Sequence, residues 1–182
     1  MHNKDFDEYV RRQQEIPPGG PPPDWNRERD EWLGYLNNLY KEIESFLSKY
    51  ASLGQIRSKY QDIELNEEYI GSYNAKQMIL RIGKQEVRLV PIGTLLIGFK
   101  GRVDVVGSSG KAQIVLVDNR VTDPRSLVHV SVGIGGKLPI VPKELPGNIQ
   151  WEWKILTRPP ERRFIEVTQQ TFLELIMEVA HG

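Results

Sequence analysis

The chain has no cysteine. That removes disulfides, thiolate metal sites and cysteine nucleophiles together, and makes a reducing cytoplasm its expected home. Histidine is scarce: His2, His129 and His181 are the 3 in 182 residues, too scattered to suggest a zinc site. Net charge is absent, since Lys plus Arg and Asp plus Glu both total 24, so no overall field draws the chain to nucleic acid or an anionic membrane. No apolar run approaches the roughly 20 residues that cross a bilayer. The opening MHNKDFDEYVRRQQE is charged where a secretion signal is apolar, so neither secretion nor a membrane span is expected. Phosphate loops are missing too. Gly93 to Gly98 is followed by Phe99 and Lys100 where Lys and then Ser or Thr are required, and Gly133 to Lys137 lacks the spacing.

What is present fits one core with an appendage. Residues 1–23 read as a helical arm and linker: Phe6, Tyr9, Val10 and Ile16 share one side of a short helix, and PPGGPPPDW makes a semi-stiff spacer. Residues 24–182 read as a single β-rich domain with a leading helix. That helix is expected to begin at Asp24 or Asn26 and stop at Gly54, with Trp32, Leu36, Leu39, Ile43, Phe46 and Tyr50 as a heptad seam flanked by Leu33, Tyr40 and Leu47. A face this wide suits the chain's own sheet or a broad helical interface better than a two-stranded zipper.

From Ile56 the apolar period becomes two. Strands are expected at Tyr60 to Leu65, Lys76 to Ile82, Glu86 to Val90, Thr94 to Phe99, Leu127 to Ile134, Ile149 to Leu156 and Arg163 to Val167, with a loop over Lys137 to Asn148. Trp151 and Trp153 alternate with charged residues and read as inner-face core. Thr171-Phe-Leu-Glu174 has the form of a capping box opening a short C-terminal helix whose Phe172, Leu175, Ile176 and Val179 share a face. The fold class is therefore α+β: mainly an antiparallel sheet or small sandwich, with one long N-terminal amphipathic helix and a short C-terminal one.

The sharpest local structure is Gly101 to Asn119, GRVDVVGSSGKAQIVLVDN, which reads as a hairpin turning at residues 107 to 110. Asp104 lies within its first strand and Asp118 ends its second. Two carboxylates a few ångströms apart hold Mg²⁺, and a nearby cation steadies charge on a phosphate. An Asp in one strand, a turn, then an acidic-x-basic triplet resembles the core of the PD-(D/E)XK nuclease superfamily over about twenty residues. The resemblance implies a Mg²⁺-dependent nuclease or nucleic-acid-binding domain with Asp104 and Asp118 as metal ligands and Arg120 at the lysine position. Two departures stand beside it: arginine cannot act as a base, and a strand follows where the family has a helix. The plainer reading pairs Asp104 with Arg102 and ends a strand at Asp118-Asn119. Glu152-Trp-Lys154 is a second acidic-x-Lys, read as the solvated side of a strand. The run RPPERR, Arg158 to Arg163, is the best phosphate patch, with a solvated loop as its ordinary explanation.

Without a complete catalytic set, the leading expectation is a non-enzymatic interaction or accessory protein with no cofactor. It would bind another protein or a second copy of itself through Phe6, Tyr9, Val10 and Ile16 of the arm and through Trp32 and Leu36 of the aromatic helix face.

Overall fold

The computed structural model describes residues 23–94, 99–127 and 148–181. Asp24 holds an extended backbone and its carboxylate accepts the Arg27 amide at 3.2 Å, starting helix α1, Trp25–Ser52. Gly54 ends it at φ +70°; its amide reaches the Ala51 carbonyl and the Gln55 amide the Tyr50 carbonyl, which satisfies carbonyls the last turn leaves open. The buried stripe is Trp32, Leu36, Leu39, Tyr40, Ile43 and Leu47, while Phe46 and Tyr50 are only half-buried. This departs from the heptad seam for a physical reason. Trp32 to Ile43 and Leu36 to Leu47 are each eleven residues apart, about 3.67 per turn, so the stripe does not carry the 3.5-residue repeat of a left-handed coiled coil.

Among the described residues seven strands follow as a meander in chain order, every neighbour antiparallel: β1 Ile56–Glu67, β2 Gly71–Ile82, β3 Gln85–Gly93, β4 Gly101–Gly107, β5 Gly110–Asp118, β6 Trp151–Leu156 and β7 Phe164–Glu166. The second helix, α2, is Gln169–Ala180. Both helices join one core with a single face of the sheet: Met78 and Leu80 of β2, Val87 and Leu89 of β3, Val103 and Val105 of β4, Ile114 and Leu116 of β5, Trp153 and Ile155 of β6. Each fully buried apolar side chain contributes on the order of 1.5–3 kcal/mol, which an isolated helix lacks. Val115, Val117 and Leu156 form a smaller cluster on the other face.

Burial in β2 changes parity between Ala75 and Met78. Pairing with β3 begins only at Met78, so the distal half of the β1–β2 ribbon is two-stranded and free to twist strongly. The first half of α1 covers that ribbon: Trp25 stacks on Tyr69 at 5.2 Å.

Three expectations are corrected. Trp32 and Leu36, expected at a partner interface, are 0% and 1% exposed within the chain's own core, so a docking protein does not reach them. The capping box of α2 is Thr168 with Thr171, each hydroxyl bonded to the other residue's amide, so Thr171 sits a turn inside the helix rather than opening it. Leu127, expected to start a strand, closes a 3₁₀ turn, Pro124–Leu127. The rest of that strand, the loop from 137 to 147, residues 95–98, and Phe6, Tyr9, Val10 and Ile16 of the arm lie outside the described residues.

Candidate functional site

The hairpin register decides the acidic pair. Asp104 on β4 lies opposite Gln113 on β5, and Asp118 is five residues further along, about 16 Å at strand rise. Alternation then puts Asp118 on the helix side with Leu116, while Asp104 faces the other way with Gln113 and Val115. No single ion sits between them.

Each acid is instead neutralised locally. Asp104, 5% exposed, faces the Arg102 guanidinium at 2.9 Å and the Lys111 ammonium at 3.2 Å. Arg102 Nε and Asp104 Oδ1 are not aligned for a hydrogen bond, and the one that forms, from Arg102 Nη2 to Asp104 Oδ2, is long at 3.5 Å, so ion pairing does most to hold the carboxylate. Asp118 Oδ1 accepts Arg120 Nε at 2.8 Å and the Arg120 amide at 3.0 Å, and the guanidinium beside it holds its carboxyl below the usual range. These donors do not fit Mg²⁺, which asks for converging oxygens without a competing guanidinium. Among the described residues no group of three or more His, Cys, Asp or Glu gathers as a metal site. Arg120 is placed here as the counter-ion of Asp118. Lys154 bridges Glu152 at 3.1 Å and Glu166 at 3.8 Å, a charge ladder along neighbouring strands.

Three arrangements escaped the sequence reading. Glu67, buried at the end of β1, accepts the Tyr73 hydroxyl and, at 2.9 Å each, the Thr94 amide and hydroxyl. Gly93 makes room for it: at φ +132° a Cβ there would lie 2.8 Å from the carboxylate carbon. Lys100 joins Glu28 and Glu31 of α1, both at 3.0 Å, and lies 5.4 Å from the Trp151 ring. Burial lowers its ammonium, but the bonds to Glu31 and Glu28 outweigh that and leave it raised. The Gly-Ser-Ser-Gly turn binds the end of α2, with the Ser109 amide on the Val179 carbonyl at 2.8 Å and the Ser108 hydroxyl on the Ala180 carbonyl at 3.0 Å. All three tie distant segments together, which a linear motif does not encode.

The surface offers two further features. Strand β1 is a sheet edge twelve residues long, paired with β2 on one side and with no strand on the other among the described residues. Its Arg57, Lys59, Tyr60, Asp62 and Glu64 are exposed. At the far end of the sheet, the turn after β6 gathers arginines around a cleft.

By fold the described residues form an α+β protein built on a seven-stranded antiparallel meander with one helix before it and one after it. No family model, no curated protein and no solved structure matches it. No helix among the described residues is long and apolar enough to cross a membrane.

Proposed function

We propose that this is a non-enzymatic interaction or accessory protein of the cytoplasm that takes an extended segment, from another protein or from a second copy of itself, along strand β1. The observation that carries the reading is the outer edge of β1, twelve residues of main chain with one strand neighbour among the described residues. Unpaired amides and carbonyls in a row supply affinity to an added strand, and alternate side chains supply selectivity. Charges of both signs along the edge, Arg57 and Lys59 then Asp62 and Glu64, oppose indiscriminate pairing. A second copy is accommodated. Antiparallel self-pairing centred on Gln61 sets Arg57 opposite Leu65, Lys59 opposite Ile63 and Tyr60 opposite Asp62, so no like charges face each other. The arm, with Phe6, Tyr9, Val10 and Ile16, gives a second apolar contact in this reading.

Two adjacent proline variants, Ser58→Pro and Lys59→Pro, both at exposed positions of β1, test the edge. Neighbouring amides of a strand point in opposite directions, so one variant removes a bond to β2 and melts early while the other removes only an outward donor. The variant that keeps the native Tm is expected to lose self-association in light scattering, or to lose the partner with which the wild type co-purifies. If that variant associates as the wild type does, or the wild type associates with nothing, the reading fails.

A further inference from the structure

The run Arg158 to Arg163 folds around a cleft of about 310 Å³ lined by Pro159, Pro160, Glu161, Arg162 and Arg163 and, from the separate 3₁₀ turn, by Arg125. We propose that this cleft binds a small phosphate-bearing anion, independently of the β1 edge. Three arginines from two separate turns line one concavity, an arrangement the run alone does not reveal. Guanidinium forks match phosphate oxygens two at a time.

Both turns are braced without a ligand. The Thr157 hydroxyl donates to the Glu161 carbonyl and accepts the Arg163 amide, both at 2.8 Å, while the Thr157 amide donates to the Arg163 carbonyl at 3.0 Å. Across the cleft, the Asp123 carboxylate accepts the Arg125 amide at 2.9 Å and the Asp123 carbonyl accepts the Ser126 hydroxyl at 2.6 Å. Held backbones limit the ordering that binding would otherwise require.

The arginines are also available to a ligand. Arg163 meets Glu161 at 2.5 Å and Arg125 meets Asp123 at 3.3 Å, but both pairs are exposed and such pairs hold weakly. Arg162 has no ion-pair partner among the described residues and also lines the adjoining 150 Å³ pocket with Lys111 and Arg158. A space of 310 Å³ is at the small end of ligand sites, the size of a phosphoester or pyrophosphate rather than a polymer.

Calorimetric titration of the full chain with orthophosphate, pyrophosphate and adenosine monophosphate at fixed ionic strength tests the site. One-to-one binding of pyrophosphate is expected, and comparison with the nucleotide separates a preference for free phosphate from one for a phosphoester. Arg162→Ala and Arg125→Ala should each weaken it by about 10- to 100-fold with unchanged Tm, whereas Arg88→Ala, on β3, binds as wild type. No binding of pyrophosphate, equal weakening by Arg88→Ala, or binding of a single-stranded oligonucleotide alone would overturn the proposal.

Discussion

Replacing Gly101 by alanine tests how the leading helix meets the sheet. Gly101 opens β4, and a Cβ built on it lies 2.2 Å from Cζ3 and 2.5 Å from Cε3 of Trp32. Carbon atoms at rest stay roughly 3.5–4.0 Å apart, so the methyl group overlaps the indole by more than an ångström. The indole has little room to retreat: it is 0% exposed and its other neighbour, Trp153, has its ring centre 5.9 Å away. Overpacking of this kind costs about 1–3 kcal/mol, and the depth of the overlap argues for the upper end. In a domain this size that lowers Tm by about 6–12 °C. Trp32→Ala alone costs about 3–5 kcal/mol, because it leaves a cavity. In the double variant the new methyl group enters that cavity instead of striking the ring, so the two costs should fall short of their sum by about 2 kcal/mol or more. Urea unfolding of the four proteins, with m-values compared, reads this directly. If Gly101→Ala unfolds at the wild-type midpoint, or the costs simply add, Trp32 does not lie over β4 and the packing of α1 is misassigned.

The α2 cap and the pH limits of stability give two further tests. Thr168→Ala should cost about 1 kcal/mol and Glu174→Ala less than about 0.5 kcal/mol by denaturant titration; the reverse order would restore the cap at Thr171. At acid pH, Glu31, lowered by Lys100 and then Arg27, and Asp118, lowered by Arg120, supply stability that is present above the ordinary carboxylate range and lost as pH falls through their lowered folded values. At alkaline pH the sign is set by tyrosine. Burial, then hydrogen bonds to Glu44 and Glu67, raise the phenols of Tyr60 and Tyr73 above their ordinary value of 10.0, so stability is present below that value and lost as pH rises past it. Melting curves across pH should show both limbs. In Tyr60→Phe/Tyr73→Phe the alkaline limb should be shallower, and an unchanged limb refutes the assignment.

Local chemistry made the helices and strands legible, and long-range contacts set the differences. Asp24 and Gly54 bounded α1 correctly because caps are local. Phe172, Leu175, Ile176 and Val179 were the buried face of α2 as their spacing implied. The cap itself was missed because Thr171 resembles an N-cap in isolation; only the strand β7 ending at Glu166 leaves Thr168 to start the helix, with the Thr171 hydroxyl on the Glu166 carbonyl at 2.6 Å. The shift from Phe46 and Tyr50 toward Tyr40 and Leu47 has the same origin. A helix's apolar positions do not say whether their partner is a helix or a sheet, and the Tyr40 hydroxyl is claimed by the Lys76 carbonyl at 2.7 Å.

The acidic pair shows what a motif in a hairpin must satisfy before it counts as a site. A two-residue turn at Ser108-Ser109 pairs Gly107 with Gly110, so the numbers of opposing residues sum to 217 along the whole hairpin. A carboxylate that shares an ion with Asp104 must therefore stand at 113 or, diagonally, at 111 or 115. Those positions hold Gln113, Lys111 and Val115, and Lys111 does reach Asp104, as a counter-ion. Asp118 fails on distance and also on parity, since an even-numbered residue of β5 lies on the opposite face from 113. The turn that suggested the nuclease-like site thus already contained the arithmetic that excludes it, and the same rule applied to a candidate Asp-turn-Asp hairpin elsewhere needs only the turn length.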